Sequence, residues 1–156
     1  MAYRSIELPL ETNAQVLFQL ENSVPGMMWA SQVAVGHECS VSIRVFGTEG
    51  ALEWNHDTPG QLRVTKIGGP TQIYTPGREY LYPNAAAMTR LPYGHPEGFY
   101  ETFANIYRDF IRHILARREC VTYHPLYPTI GDGVHGLRFV EACLQSAAEN
   151  NIWITI

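Results

Sequence analysis

The hydrophobic positions of this chain follow two rhythms. From residue 14 to about residue 75 they alternate. In AQVLFQLEN (14–22), Val16, Phe18 and Leu20 fall on one side. GMMWASQVAV (26–35) follows Pro25-Gly26, a turn signal. In CSVSIRVFG (39–47), Val41, Ile43 and Val45 face one way, and Ser42, Arg44 and Phe46 the other. TEG then turns into ALEWNH, DTPG turns into QLRVTKI, and TQIYT is a shorter candidate. Successive side chains of a strand point to opposite faces, so period two marks strands. Short Gly and Pro turns between them predict an antiparallel meander.

After an irregular stretch rich in Tyr, Pro and Ala (76–92), the rhythm changes. In HPEGFYETFANIYRDFIRHILARRE (95–119), Phe99, Phe103, Ile106, Tyr107, Phe110 and Ile114 recur every three or four residues. They form an apolar arc of about 100° on a helix. Glu101, Asn105, Arg108 and Arg112 lie opposite. Pro96 and Glu97 read as the opening, and Arg117-Arg118 as the end, an order of charge that suits the helix dipole. A linker, CVTYHPLYP, leads to a second helix with Leu137, Val140, Leu144, Ala147 and Ala148 on one face. The final NIWITI reads as a strand. The pattern predicts one α+β domain over residues 1–156. It has a largely antiparallel open sheet of about six or seven strands, with two main helices packed on one face.

Composition narrows the function. The chain has 156 residues, 46% apolar and 17% charged, and a net charge of −4. A chain of that length buries roughly 68–70% of its unfolded surface, enough for a core without staples. The acidic balance, with a pI near 5.8, offers no field for phosphate backbones and argues against nucleic-acid binding. No run approaches the ~18 apolar residues of a membrane span. MAYRSIELPL lacks the basic start and apolar core of a signal peptide. The three cysteines, Cys39, Cys120 and Cys143, are far apart and odd in number, so they read as reduced thiols of a cytoplasmic protein.

GDGVHG (131–136) fits the dinucleotide pattern G-x-G-x-x-G. Its surroundings do not. A nucleotide loop follows a buried strand, opens a helix within a βαβ unit, and has an acid about 20 residues on. Here YHPLYPTI precedes it and one short strand follows. Asp132 would also face a phosphate with negative charge. TIGD instead fits a capping box, so the six residues are expected inside the start of the second helix.

Other chemistry is sparse. His37, Glu38 and Cys39 are possible metal ligands, but neighbouring residues of a strand diverge, and Gly36 marks a turn. His56, His113 and His135 read as surface or turn residues. His95 stands out in YGHPEGFY, between Tyr93 and Tyr100 and just before a helix start. Free N–H groups there suit an oxygen-rich ligand. His95 is either a hydrogen-bonding or proton-transferring group for a hydroxylated substrate, or simply a cap. Tyr74, Tyr80 and Tyr82 line a sugar site or hold their loop down.

Three stretches together resemble the Gfo/Idh/MocA oxidoreductases, relatives of glucose–fructose oxidoreductase and inositol dehydrogenase. WASQVAVGHECSVSIRVFGTEGALEWNHDTPGQLRV resembles their sheet region. GHPEGFYETFANIYRDFIRHILARRE resembles their long helix with its H-P-E-G-F opening. YPTIGDGVHGLRFVEACLQSAAENNIWITI resembles their last helix and strand. The resemblance covers the chain from about Ala14 to its end. It implies the C-terminal substrate-binding and dimerisation domain of an NAD(P)-dependent enzyme acting on a sugar, polyol or related carbonyl compound. The family's Rossmann unit, its E-K-P stretch with a catalytic lysine, and its D-x-x-x-H helix have no counterpart here. The resemblance therefore carries over no catalytic group. It implies NAD(P) in the intact enzyme but none bound by this chain alone, which is expected to be inactive. The candidates it leaves are His95 for the substrate wall, with Trp29, Ser31 and Gln32 beside it. The expected partner is a second copy, meeting the open sheet face. The competing readings are a stand-alone binding or dimerisation module without catalysis, and a small enzyme with a His95/Tyr acid–base pocket.

Overall fold

The alternation of Ala14, Val16 and Phe18 becomes a hairpin in the computed structural model, which describes residue 6 and residues 8–156. The N-terminal stretch read as lacking a leader lies mostly outside the described residues. The chain divides into two compact units, one of residues 1–38 and 135–156, the other of residues 39–134.

In the first unit, strand β1 (Asn13–Gln19) pairs antiparallel with β2 (Pro25–Ser31). The register sets Ala14 opposite Ala30, Val16 opposite Met28, and Phe18 opposite Gly26. Ala14, Val16 and Phe18 are half-buried and their neighbours exposed, as the period demands. Phe18 folds its ring over Gly26: a Cβ there would sit 2.2 Å from the ring and would displace it. The same ring meets Phe139 edge-on, with centroids 6.4 Å apart. Phe139 belongs to the long helix α3 (Ile130–Ala148), which contributes its residues from His135 onward to this unit. Edge-to-face pairs of this kind add about 0.5–1.5 kcal/mol beyond burial. The closing NIWITI differs from expectation. It makes no strand ladder among the described residues and is tied instead by the Ser146 hydroxyl, which donates to the Ile152 carbonyl at 2.7 Å. Alternation specifies which side chains share a face, but a strand also needs a neighbour.

The second unit opens with the expected meander. Strands β3 (Ser42–Phe46), β4 (Gly50–Asn55), β5 (Leu62–Lys66) and β6 (Thr71–Tyr74) lie in chain order, all antiparallel. Ile43, Trp54, Leu62 and Tyr74 form one cross-strand row, and Val45, Leu52 and Val64 the next. The other face carries Arg44, Glu53 and Arg63 in a row, with Arg63 3.8 Å from the Glu53 carboxylate. The alternation therefore separates an apolar face from a mixed one, where these charges lie beside Phe46 and Ile73, as read from CSVSIRVFG. Ile43 and Val45 are each 55% exposed, so the apolar face is open along β3, while Trp54, Leu62, Val64 and Tyr74 are half-buried. Trp54 donates its indole N–H to the Pro59 carbonyl at 3.0 Å and pins the turn into β5.

Two helices complete this unit: the short α1 (Pro83–Ala87) and the long α2 (Phe99–Arg118). α2 starts two residues later than Pro96-Glu97 implied, because Gly98 takes the cap position. The Gly98 N–H donates to the Glu101 carboxylate at 2.9 Å, and the Thr102 hydroxyl donates to the Gly98 carbonyl at 2.8 Å. The Gly98 N–H, with that of Glu101 itself, holds the Glu101 carboxyl below the usual range. The α+β class, six antiparallel strands and two long helices agree with the sequence reading. The strands form two sheets, of two and four strands.

Candidate functional site

The side of α2 read as polar proves to be its covered side. Asp109 and Ala116 are the helix's buried residues, and Glu101, Ala104, Asn105, Arg108 and His113 on the same strip are half-buried. Two loops of the second unit lie along it.

The linker 119–129 is held by Asp109, which is only 5% exposed. One carboxylate oxygen accepts the Tyr123 hydroxyl in a short contact. The other accepts the N–H groups of Leu126 at 2.6 Å and Tyr127 at 3.0 Å. Burial pushes the Asp109 carboxyl up, but the bonds from Tyr123, Leu126 and Tyr127, with the charge of Arg112, outweigh it and hold it below its ordinary value. Tyr123 is raised in turn, first because its O–H is given to Asp109. His113 shares the Tyr127 hydroxyl through Nδ1 at 2.6 Å and stacks on Tyr123, centroids 5.7 Å apart and planes 20° apart. His113 is thus part of a packed network rather than a surface residue. Sequence reading missed Asp109. The available signal was its position four residues before His113, opposite a linker with Tyr123 and Tyr127 at the same spacing.

The other loop carries His95. The segment 76–92 is ordered by its own tyrosines: Tyr74 and Tyr80 rings lie 4.8 Å apart, and the Thr75 N–H donates to the Tyr80 hydroxyl at 2.8 Å. That hydroxyl is lowered by its bonds with Thr75. Tyr80 therefore holds the loop down, whereas Tyr82 projects outward. Arg78 lies over the Tyr93 ring at 4.2 Å. Arg78, Arg90, Leu91 and Pro92 line an open hollow of about 380 Å³. Its rim passes into the turn Pro92–His95, where Gly94 takes a left-handed φ of 84°. The His95 N–H donates to the Pro92 carbonyl at 3.3 Å, with Nδ1 3.2 Å from the same oxygen. His95 is exposed and does not cap α2; Gly98 and Glu101 do.

Trp29, Ser31 and Gln32 belong to the other unit. Trp29 and Ser31 share a face of the hairpin with Gln15 and Asn13, their register partners. The Trp29 indole donates to Asn13 at 2.8 Å, and the Ser31 hydroxyl accepts the Val33 N–H at 3.2 Å. Gln32 follows the strand and donates its N–H to the Thr12 carbonyl at 2.7 Å.

GDGVHG lies wholly within α3. The Thr129 N–H and hydroxyl both donate to the Asp132 carboxylate at 2.7 Å, and the Gly133 N–H goes to the Thr129 carbonyl at 3.1 Å. From Gly133 onward its amides are engaged in a helix, and its acid caps the entry where a phosphate would have to sit, so these residues do not fit a dinucleotide pyrophosphate. His37, Glu38 and Cys39 sit in turns, and no group of three metal-binding side chains occurs among the described residues. No helix among them is long and apolar enough to cross a membrane. All three cysteines are free thiols.

Comparison with known proteins agrees with this architecture. Residues 3–156 match the model of the oxidoreductase family, C-terminal alpha/beta domain. The chain is 36% identical over 149 residues to the uncharacterized oxidoreductase YfiI of Bacillus subtilis, covering 94% of this chain and 38% of that protein. It is similar to the crystal structure of an oxidoreductase from Sinorhizobium meliloti, with 42% identity and a TM-score of 0.89, covering 95% of this chain and 42% of that one. It is also similar to an inositol dehydrogenase homolog from Azotobacter vinelandii, 36% identical, solved with NAD+ (TM-score 0.88, covering 95% and 39%). The same homolog solved with NADH and myo-inositol gives a TM-score of 0.82, covering 95% and 40%. The chain therefore spans about two fifths of the length of these relatives. By its match from residue 3 to residue 156, the chain belongs to the Gfo/Idh/MocA oxidoreductase family, as its C-terminal α/β domain.

Proposed function

We propose that this chain is the substrate-binding and dimerisation part of an NAD(P)-dependent oxidoreductase acting on a sugar, polyol or related carbonyl compound. The observation that carries this reading is that 95% of this chain matches part of an inositol dehydrogenase homolog solved with NADH and myo-inositol. His95, Trp29, Ser31 and Gln32 contribute to the substrate wall. Each is a hydrogen-bonding group at an exposed or half-buried position, which suits a ligand rich in hydroxyls. NAD(P) is held elsewhere in the intact enzyme. The open sheet face, with Ile43 and Val45, meets a second copy, because exposed apolar patches of this kind mark interaction surfaces. The protein acts in the cytoplasm.

Two measurements test this. Titrating the chain with myo-inositol is expected to shift NMR signals of His95 and Trp29 and to give no NAD reduction. Turnover of NAD by the chain alone would overturn the division of labour. Sedimentation is expected to show a dimer that Val45→Glu dissociates, and an unaltered sedimentation coefficient in that variant would remove the sheet face from the interface.

A further inference from the structure

The turn carrying His95 is closed at its base and fastened to α2 by a continuous set of side-chain bonds. At the base, the Arg90 N–H donates to the Glu97 carboxylate at 2.7 Å, joining the two ends of an eight-residue loop. The Arg90 guanidinium then donates through Nε at 3.2 Å and Nη2 at 3.1 Å to the Asn105 side-chain oxygen. The Asn105 amide nitrogen donates to the Met88 carbonyl at 2.8 Å. Asn105 thus uses its acceptor and its donor on two points of one loop, about two turns into the helix. The bond to Met88 is partly buried, whereas those from Arg90 are open to solvent, as His95 is. Glu97 is not needed for capping, since Glu101 serves there.

We propose that Glu97, Arg90 and Asn105 are positioning residues that hold the Pro92–His95 turn, and so the His95 imidazole, in one place for a hydroxylated ligand. The ligand half of this statement rests on the reading of His95 as part of the substrate wall. The mechanical half does not. Pre-fixing a turn raises affinity because the competent arrangement need not be selected from many.

The test uses the 156-residue chain labelled with 15N, with the Tyr123, Leu126 and Tyr127 signals of the Asp109 network as reporters of the fold. In Glu97→Ala and Asn105→Ala, backbone order parameters at Gly94 and His95 are expected to fall from about 0.85 to below about 0.6. Glu97→Gln keeps an acceptor for the Arg90 N–H and is expected to retain the original order. If Glu97→Ala and Glu97→Gln behave alike, or if His95 keeps its order in both alanine variants, the proposal is overturned. Loss of the network signals together with the turn also overturns it, since these residues would then hold the whole fold. Myo-inositol titration adds the second arm: a turn that spends one tenth of its time in place binds about tenfold more weakly, and Glu97→Gln is expected to restore the affinity. If myo-inositol moves no His95 signal in the unsubstituted chain, the substrate-wall reading fails while the order parameters still decide the clamp.

Discussion

The two sides of α2 behave in opposite ways. One bears the residues a hydrophobicity pattern ranks as polar, yet it is covered. Asp109, Asn105 and Arg108 on it bond two loops of their own unit. The other bears the aromatic arc, yet Phe99 is 71% and Tyr107 65% exposed. Directional bonds give a helix face a defined partner within a short chain, because each donor or acceptor names its counterpart. Apolar area is non-directional and accepts any surface of the right shape. The polar side is thus bonded within this chain, and the aromatic side stays exposed in it.

Three substitutions or conditions probe this difference, in falling order of effect. Asp109→Ala strips one buried acceptor from three donors, and an unsatisfied buried group costs about 1–3 kcal/mol. Equilibrium urea unfolding is expected to show a loss of about 3 kcal/mol, and thermal unfolding a drop of roughly 6–12 °C. An unchanged midpoint would mean that the linker is held by something else.

Acid is a milder form of the same change. The Asp109 carboxyl is held below its ordinary value, so its contribution is complete above about pH 4 and disappears as pH falls through the lowered value. Tyr123 is raised, so its contribution is complete below about pH 10 and disappears as pH climbs through the higher value. The network is expected to be most stable between those limits. Unfolding curves from pH 5 down to pH 2 should show a shallower pH slope in Asp109→Asn, the remainder coming from carboxylates such as Glu101, and a slope of unchanged size would assign all of it to them.

On the aromatic side, Tyr107→Ser is expected to change the unfolding midpoint by less than about 0.5 kcal/mol, as for most exposed positions. A loss comparable to that of Asp109→Ala would show that this face is packed in solution and would erase the contrast.

The strands were legible because alternation repeats the geometry of a pleated sheet. CSVSIRVFG divides its side chains as the register of β3 and β4 does. α2 was legible for the same reason, at period 3.6. The role of Asp109 was not, because periodicity says which side a residue lies on and nothing of what reaches it from a loop. NIWITI shows the same limit for strands, with the right alternation and no ladder among the described residues. At GDGVHG, context outweighed pattern: two prolines before it and an acid within it pointed to a helix entry, and α3 begins there. His95 was singled out by its neighbours in sequence, but the bonds that fasten its loop join residues up to 17 positions apart and left no local signature.

The Asp109 network also has a bearing on how the chain folds. Its partners lie 14 to 18 residues from the carboxylate. Loops of that length close quickly, since a ten-residue loop closes in about 10–100 ns and the entropic cost grows only with the logarithm of length. The helix and its following linker can therefore meet as soon as both have left the ribosome, without waiting for any distant part of the polypeptide.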